Sequence, residues 1–158
     1  KDGLGTDVTI QAAPQHIVSL NLAADETLLP IVGPARFAAA TALSADPGIS
    51  NVAVLSEQVA THIASASDTE QIIALNPDLV LVATYTDPAV MQQLRDAGLT
   101  VFATSFATSL DEVRANTRLL GQVVGEESAV EDWLKSMDSG IEAVTHSIGE
   151  HVVAVTAL

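Results

Sequence analysis

Residues 67–85 read SDTEQIIALNPDLVLVATY, and this stretch decides the fold. Ser67 and Asp68 are N-cap residue types, and Glu70 falls three positions after Ser67, where a capping box places its carboxylate. Ile72, Ile73 and Leu75 supply an apolar helix face. Asn76 and Pro77 stop that helix, because proline disfavours helical geometry in the residue before it. Leu79, Val80, Leu81, Val82 and Ala83 then form an unbroken aliphatic run, the pattern of a parallel strand covered on both faces. The run empties into Thr84, Tyr85, Thr86 and Asp87, a polar tip at the strand's carboxyl end. In open α/β sheets that end is where ligands bind.

The same alternation extends in both directions. Upstream, Val8, Thr9 and Ile10 predict a short strand, and Ile17, Val18, Ser19 and Leu20 a second one. Residues 21–26 (NLAADE) lead into a helix through Leu28, Leu29 and Ile31 that Gly33 and Pro34 end. Residues 37–40 (FAAA) predict a weaker strand. Residues 41–66 are small and polar, with Asp46, Pro47 and Gly48 as a turn. A connection that long in a compact domain carries function or short helices. Downstream, Pro88 opens a helix through Met91 and Leu94 that Gly98 caps, and residues 100–104 (TVFAT) predict the next strand. Ser109 and Glu112 form a second capping-box pattern, opening a helix that Gly125 ends.

Together these predict a doubly wound, mostly parallel α/β sheet occupying residues 1–125. From residue 126 to 150 the pattern changes. Val130, Leu134, Met137, Ile141, Val144 and Ile148 recur at intervals of three and four, which predicts one amphipathic helix of roughly 35 Å. Gly140 within it lowers local helix stability by ~1 kcal/mol relative to Ala. Residues 151–156 (HVVAVT) predict a further strand, so 151–158 is expected to open another unit.

Composition excludes several function classes. Of 158 residues, 48% are hydrophobic and 16% charged, enough for a core and too apolar for a disordered chain. The formal net charge is −14, and six dispersed Lys and Arg residues make no phosphate-binding patch, so nucleic acid and anionic lipid surfaces are not expected partners. Without cysteine there is neither disulfide nor thiolate chemistry. No apolar run has the length to span a bilayer. Beginning at Lys1, Asp2 and Gly3 without an initiator Met, the chain reads as a mature form whose targeting segment has been removed. It has no P-loop, no G-x-G-x-x-G after a strand and no G-x-S-x-G elbow. Ser19 and Ser105 lack a recognisable partner histidine. The expectation is therefore a non-enzyme with no catalytic residues, no cofactor and no metal ligand set.

Several short patterns together resemble one family. Residues 14–20 (PQHIVSL) are similar to the first strand of the solute-binding proteins that serve ABC importers of siderophore-bound iron, haem or vitamin B12. Residues 23–26 (AADE) resemble the "AATE" that follows in that family, with Asp25 in place of Thr. Residues 68–80 (DTEQIIALNPDLV) resemble its most regular segment, residues 94–101 (LRDAGLTV) its "LraaGipV", and the helix ending at Gly125 its "llGxllG". The resemblance covers one lobe and implies a second, with ligand held between two α/β lobes joined by a stiff helix. Residues 126–150 would be that connector and residues 151–158 the first strand of the other lobe.

The resemblance also implies site residues, each with a plainer reading beside it. Glu70 would dock on arginines of the membrane permease, or it would simply cap its helix. Glu26 matches the family's other glutamate near a helix start, where a structural role is the favoured reading. Tyr85, the one tyrosine of the chain, would stack on or ligate the bound metal complex, or pack at a strand end. His62 lies within a residue or so of where haem-binding members place an axial ligand, although a lone loop histidine is usually just solvated. Asn21, Leu22 and Thr84 would line the cleft, as would Leu43; it and Ser44 stand where vitamin B12-binding members often carry an aromatic, and the lack of one counts against a corrin ligand. The implied partners are a siderophore-iron, haem or cobamide ligand and an ABC permease. The implied location is the periplasm or the outer face of a membrane, and the implied state is monomeric. The alternative is a stand-alone α/β interaction or sensor module without a transport role.

Overall fold

The computed structural model describes the backbone of residues 1–156 and the side chains of residues 1–148. Five parallel strands form one sheet: β1 (Ile17–Ser19), β2 (Phe37–Thr41), β3 (His62–Ile63), β4 (Leu79–Ala83) and β5 (Val101–Thr104), in the order β3-β2-β1-β4-β5. The helices are α1 (Leu22–Val32), α2 (Ala53–Ser56), α3 (Thr69–Ala74), α4 (Pro88–Asp96), α5 (Leu110–Val124) and α6 (Glu127–Thr156).

Every residue of β4 is buried, as its unbroken aliphatic run predicts. Because side chains alternate along a strand, the run feeds two separate cores. Leu79 and Leu81 join Ile17, Leu28, Phe102 and Val124 on one face. Val80 and Val82 join Val18, Ile72, Met91 and Leu94 on the other. The turn before β4 places Asn76 at φ 47°, a left-handed conformation that asparagine tolerates better than most residues. Asp78 then accepts hydrogen bonds from the backbone N–H of Gln15 (2.6 Å) and His16 (3.0 Å), pinning the start of β4 to the start of β1.

The sixth helix packs on α5 through a notch at Gly121. A Cβ built there would lie 2.7 Å from Val130 Cγ2, so only glycine permits this helix separation. Val130 and Leu134 are buried against the lobe, and Arg114–Asp138 (2.7 Å) and Arg118–Glu131 (2.6 Å) span the two helices. From Glu142 to Ile148 every side chain is exposed, so α6 runs out from the lobe.

Three expectations differ from the structure. Val8, Thr9 and Ile10 form no strand; Val8 and Ile10 instead lay their side chains against the apolar layer beside β1. The Ser67–Glu70 capping box does not form. Helix α3 starts at Thr69, and Asp68 at its cap (φ −77°, ψ 51°) departs from the extended geometry that lets a cap side chain reach back. Glu70 is left exposed in the first turn. Residues 151–156 continue α6 rather than beginning a strand. Among the described residues a strand there finds no neighbour to pair with, whereas each added helical residue closes its own hydrogen bond. Residues 157–158 of the expected strand lie outside the described residues.

The long connection 41–66 holds a 3-10 turn (Ala42–Ala45), α2 and β3, in keeping with the short helices expected of it.

Candidate functional site

All five strands run the same way, so their carboxyl ends share one edge of the sheet. From β1 the chain builds outward to β2 and β3, then returns to lay β4 and β5 on the other side. The switch point therefore falls between β1 and β4, the place where open sheets of this kind form a crevice. A cavity of about 390 Å³ opens there, within the size range of small-molecule sites.

Asn21 and Thr104 form its floor. Asn21 follows β1 and caps α1, accepting from the N–H of Ala23 (3.0 Å) through Oδ1. Its Nδ2 donates to Oγ1 of Thr104, whose hydroxyl donates onward to the carbonyl of Val82 (3.0 Å). One amide thus joins the exit of β1 to the ends of β4 and β5. Leu22 and Glu26 of α1 form one wall, and Val113, Asn116 and Leu120 of α5 the other.

Two aromatic rings stand at the rim. Tyr85 is 77% exposed and Phe106 73%, although rings of this size are usually covered. The backbone holds both in place. Beside Tyr85, Thr86 donates its N–H to Ala83 (2.9 Å), and Asp87 caps α4 by accepting from Ala89 (2.8 Å). Next to Phe106, the carbonyl of Ser105 accepts from Nδ2 of Asn116 (2.9 Å).

Of the residues singled out from sequence, Asn21, Leu22 and Tyr85 meet at this cavity. Thr84 stands at the end of β4, where its N–H pairs with Thr104 (3.0 Å), and it lies outside the lining. Leu43 is half-exposed over a second, smaller cavity of about 110 Å³ above the ends of β1, β2 and β3. His62 lines neither cavity. It begins the outermost strand, and its Nε2 lies 3.0 Å from Oγ of Ser56 and 3.1 Å from the Ser56 carbonyl. Glu70 sits exposed on α3, away from both cavities.

Thr104, Phe106 and Asn116 complete the site and were not read from sequence. Phe106 had a usable signal, since it follows the carboxyl end of β5 just as Tyr85 follows that of β4. Asn116 had none: a polar residue on an amphipathic helix reads as solvated.

His62 also ends a buried polar chain. Ser56 Oγ lies 2.6 Å from Ser44 Oγ, Ser44 donates to the carbonyl of Thr41 (2.7 Å), and Thr41 donates both its N–H (2.9 Å) and its hydroxyl (2.7 Å) to Oδ2 of Asp25. Asp25 is fully buried, and its Oδ1 has no hydrogen-bond partner. Burial pushes its carboxyl up to about 6, partly offset by hydrogen bonding from Thr41 and by the nearby Ser19 and Ser44 hydroxyls. Among the described residues, no group of three His, Asp or Glu side chains could hold a metal ion.

These features define a class: an α/β lobe that offers a preformed, aromatic-rimmed crevice at the switch point of its sheet. Residues 17–157 match the model of the periplasmic binding protein family. A cobalamin-binding protein of Halobacterium salinarum is 28% identical over 153 residues, covering 93% of this chain and 39% of that protein. An uncharacterized ABC transporter substrate-binding lipoprotein of Bacillus subtilis is 35% identical over 78 residues, 48% of this chain and 25% of that protein. Among solved structures, the haem-binding protein HmuT superposes with a TM-score of 0.75 at 20% identity, over 94% of this chain and 47% of that one. The chain spans about two-fifths of the length of the Halobacterium relative and matches one lobe of the solved neighbour. It belongs to the periplasmic binding protein family.

Proposed function

We propose that this chain is the ligand-gripping lobe of the solute-binding component of an ABC importer. Its cargo would be a metal complex of siderophore, haem or cobamide type, held over the crevice through Asn21, Leu22, Tyr85 and the loop bearing Phe106. Helix α6 would carry the lobe toward a second one, with Glu70 offered to the permease from the opposite side of the edge. The protein would act at the periplasmic or outer membrane-facing side and as a monomer. No helix among the described residues is long and apolar enough to cross a membrane.

The observation that carries this reading is the pair of exposed rings over the 390 Å³ cavity. Exposed aromatics cost solvation unless a planar or greasy ligand covers them, and such contacts are a common mode of recognising large conjugated ligands. The test is to titrate the purified chain with hemin, cyanocobalamin and ferrichrome, following absorbance and equilibrium dialysis. At least one probe is expected to bind one to one, and Tyr85→Ala together with Phe106→Ala is expected to weaken it tenfold or more with the fold intact. Binding by none of the probes, or binding indifferent to both substitutions, would refute the proposal.

A further inference from the structure

The ligand's charge can be argued from where the chain has spent its cations. It has six Lys and Arg residues in all. Each is committed to a carboxylate elsewhere: Lys1 to Asp7, Arg36 to Glu126, Arg95 to Asp2, Arg114 to Asp111 and Asp138, Arg118 to Glu131, and Lys135 to Asp132. Four of these pairs lie within or between α5 and α6 or along α6 itself, and Arg36 is further held by the carbonyls of Pro14 (2.8 Å) and Val124 (2.7 Å). Among the described residues, no Lys, Arg or His lines the large cavity, and none lines the small one.

What the large cavity does present is uncharged or negative. Its polar side chains among the described residues are Asn21, Thr27, Tyr85, Thr104, Ser105, Asn116 and Thr117, with Glu26 of α1 in the wall. The amide of Asn116 spends a donor on Ser105, and its Oδ1 has no protein partner among the described residues. Thr27 and Thr104 donate their hydroxyls within the protein, which leaves the free amide oxygen of Asn116 to match a ligand that presents amide or hydroxyl donors. An exposed carboxylate or phenolate would instead meet Glu26 with no compensating cation, in a chain whose net charge is already −14.

From this we infer that the lobe selects an electrically neutral metal chelate bearing amide or hydroxyl groups, and discriminates against chelates that present anionic groups to it. This rests on the proposed importer function and narrows its cargo. Two chemistries satisfy it, a neutral corrinoid and a neutral ferric hydroxamate, while haem with its two propionates and ferric tris-catecholates do not.

The experiment compares dissociation constants of the purified chain for cyanocobalamin and ferrichrome with those for hemin and a ferric tris-catecholate, in low and in high salt. The expected result is that one neutral probe binds at least tenfold more tightly than either anionic probe. High salt is expected to narrow that ratio by screening the repulsion, as is Glu26→Gln by removing its source. Which neutral probe wins distinguishes a corrinoid from a hydroxamate cargo. A preference of less than tenfold, or a ratio indifferent to both salt and Glu26→Gln, overturns the inference and leaves the importer reading standing. Failure of all four probes to bind overturns both.

Discussion

Asp25 places a carboxyl group in the protein interior with only one of its oxygens satisfied. A buried acid with a raised folded pKa binds its proton more tightly in the fold than in the unfolded chain. Its contribution to stability is therefore fully present below the unfolded value of 3.8 and is lost as pH rises through about 6. The interval between those two values, at about 1.36 kcal/mol per pH unit, makes the loss about 3 kcal/mol between pH 4 and 7. Asp25→Asn keeps the shape and an acceptor for Thr41 but cannot ionise. Urea unfolding of both proteins at half-unit pH steps, followed by circular dichroism, isolates the effect, since every other titrating group contributes equally to both. The stability of the parent relative to the variant should fall by about 3 kcal/mol from pH 4 to 7 and level off above that. Thr41→Val, which removes a hydroxyl donated to Oδ2, should push the transition to higher pH. A parent-minus-variant difference that is flat across that range, or that rises with pH, would falsify the assignment and mean that Asp25 is comfortably ionised in the fold.

Three further outcomes are expected. Gly121→Ala should lower stability by about 1–2 kcal/mol in thermal melts despite alanine's better helix propensity, since its Cβ collides with Val130; adding Val130→Ala should recover part of that loss, and a Gly121→Ala variant as stable as the parent would disprove the notch. Asn21→Ala removes both the cap of α1 and the link to Thr104, so a loss of about 1–2 kcal/mol by urea unfolding is expected, together with weaker binding of whichever probe the lobe takes. Glu70→Lys should leave the melting temperature within roughly the ±0.5 kcal/mol of an ordinary surface change. In a reconstituted importer carrying this lobe, the same variant should reduce permease association measured by pull-down; unchanged association would remove Glu70 from the docking proposal.

How much of this was legible in the sequence depends on what each segment's neighbours are. The β4 run and its flanking helices could be read because burial on both faces leaves no choice of residue type. Val8–Ile10 and residues 151–156 carry the same β-branched signature, yet neither forms a strand. Strand formation needs a partner ladder, and local composition holds no information about whether one is present. The Ser67–Glu70 pattern failed because the helix begins one residue later than it implies: Asp68 is the cap, which leaves Glu70 short of the capping-box position, and the backbone at Asp68 turns its side chain away.

The site was harder to read for a reason the fold itself supplies. Ser19, Asn21, Asp25, Thr41, Ser44, Ser56 and Thr104 are all buried polar residues, and they gather at the carboxyl edge of the sheet. Hydrophobic periodicity marks positions by what they exclude, so it goes silent where polar groups are buried and satisfied by one another. Asp25 looked in sequence like half of an adjacent carboxylate pair with Glu26. In the fold the two diverge, Glu26 into the wall of the large cavity and Asp25 down to Thr41 beside the small one. Helix α1 is thereby fastened on its inner side to the end of β2 while its outer side faces the large cavity. A carboxylate is costly in that inner position, and it couples one of α1's contacts with the sheet to the protonation of Asp25. If Asp25→Asn removes the pH-dependent loss of stability, the same variant should also remove any pH dependence of probe binding near pH 6, because both would act through the contact of Asp25 with Thr41. Retention of a binding transition near pH 6 in the variant would place its origin elsewhere along the edge.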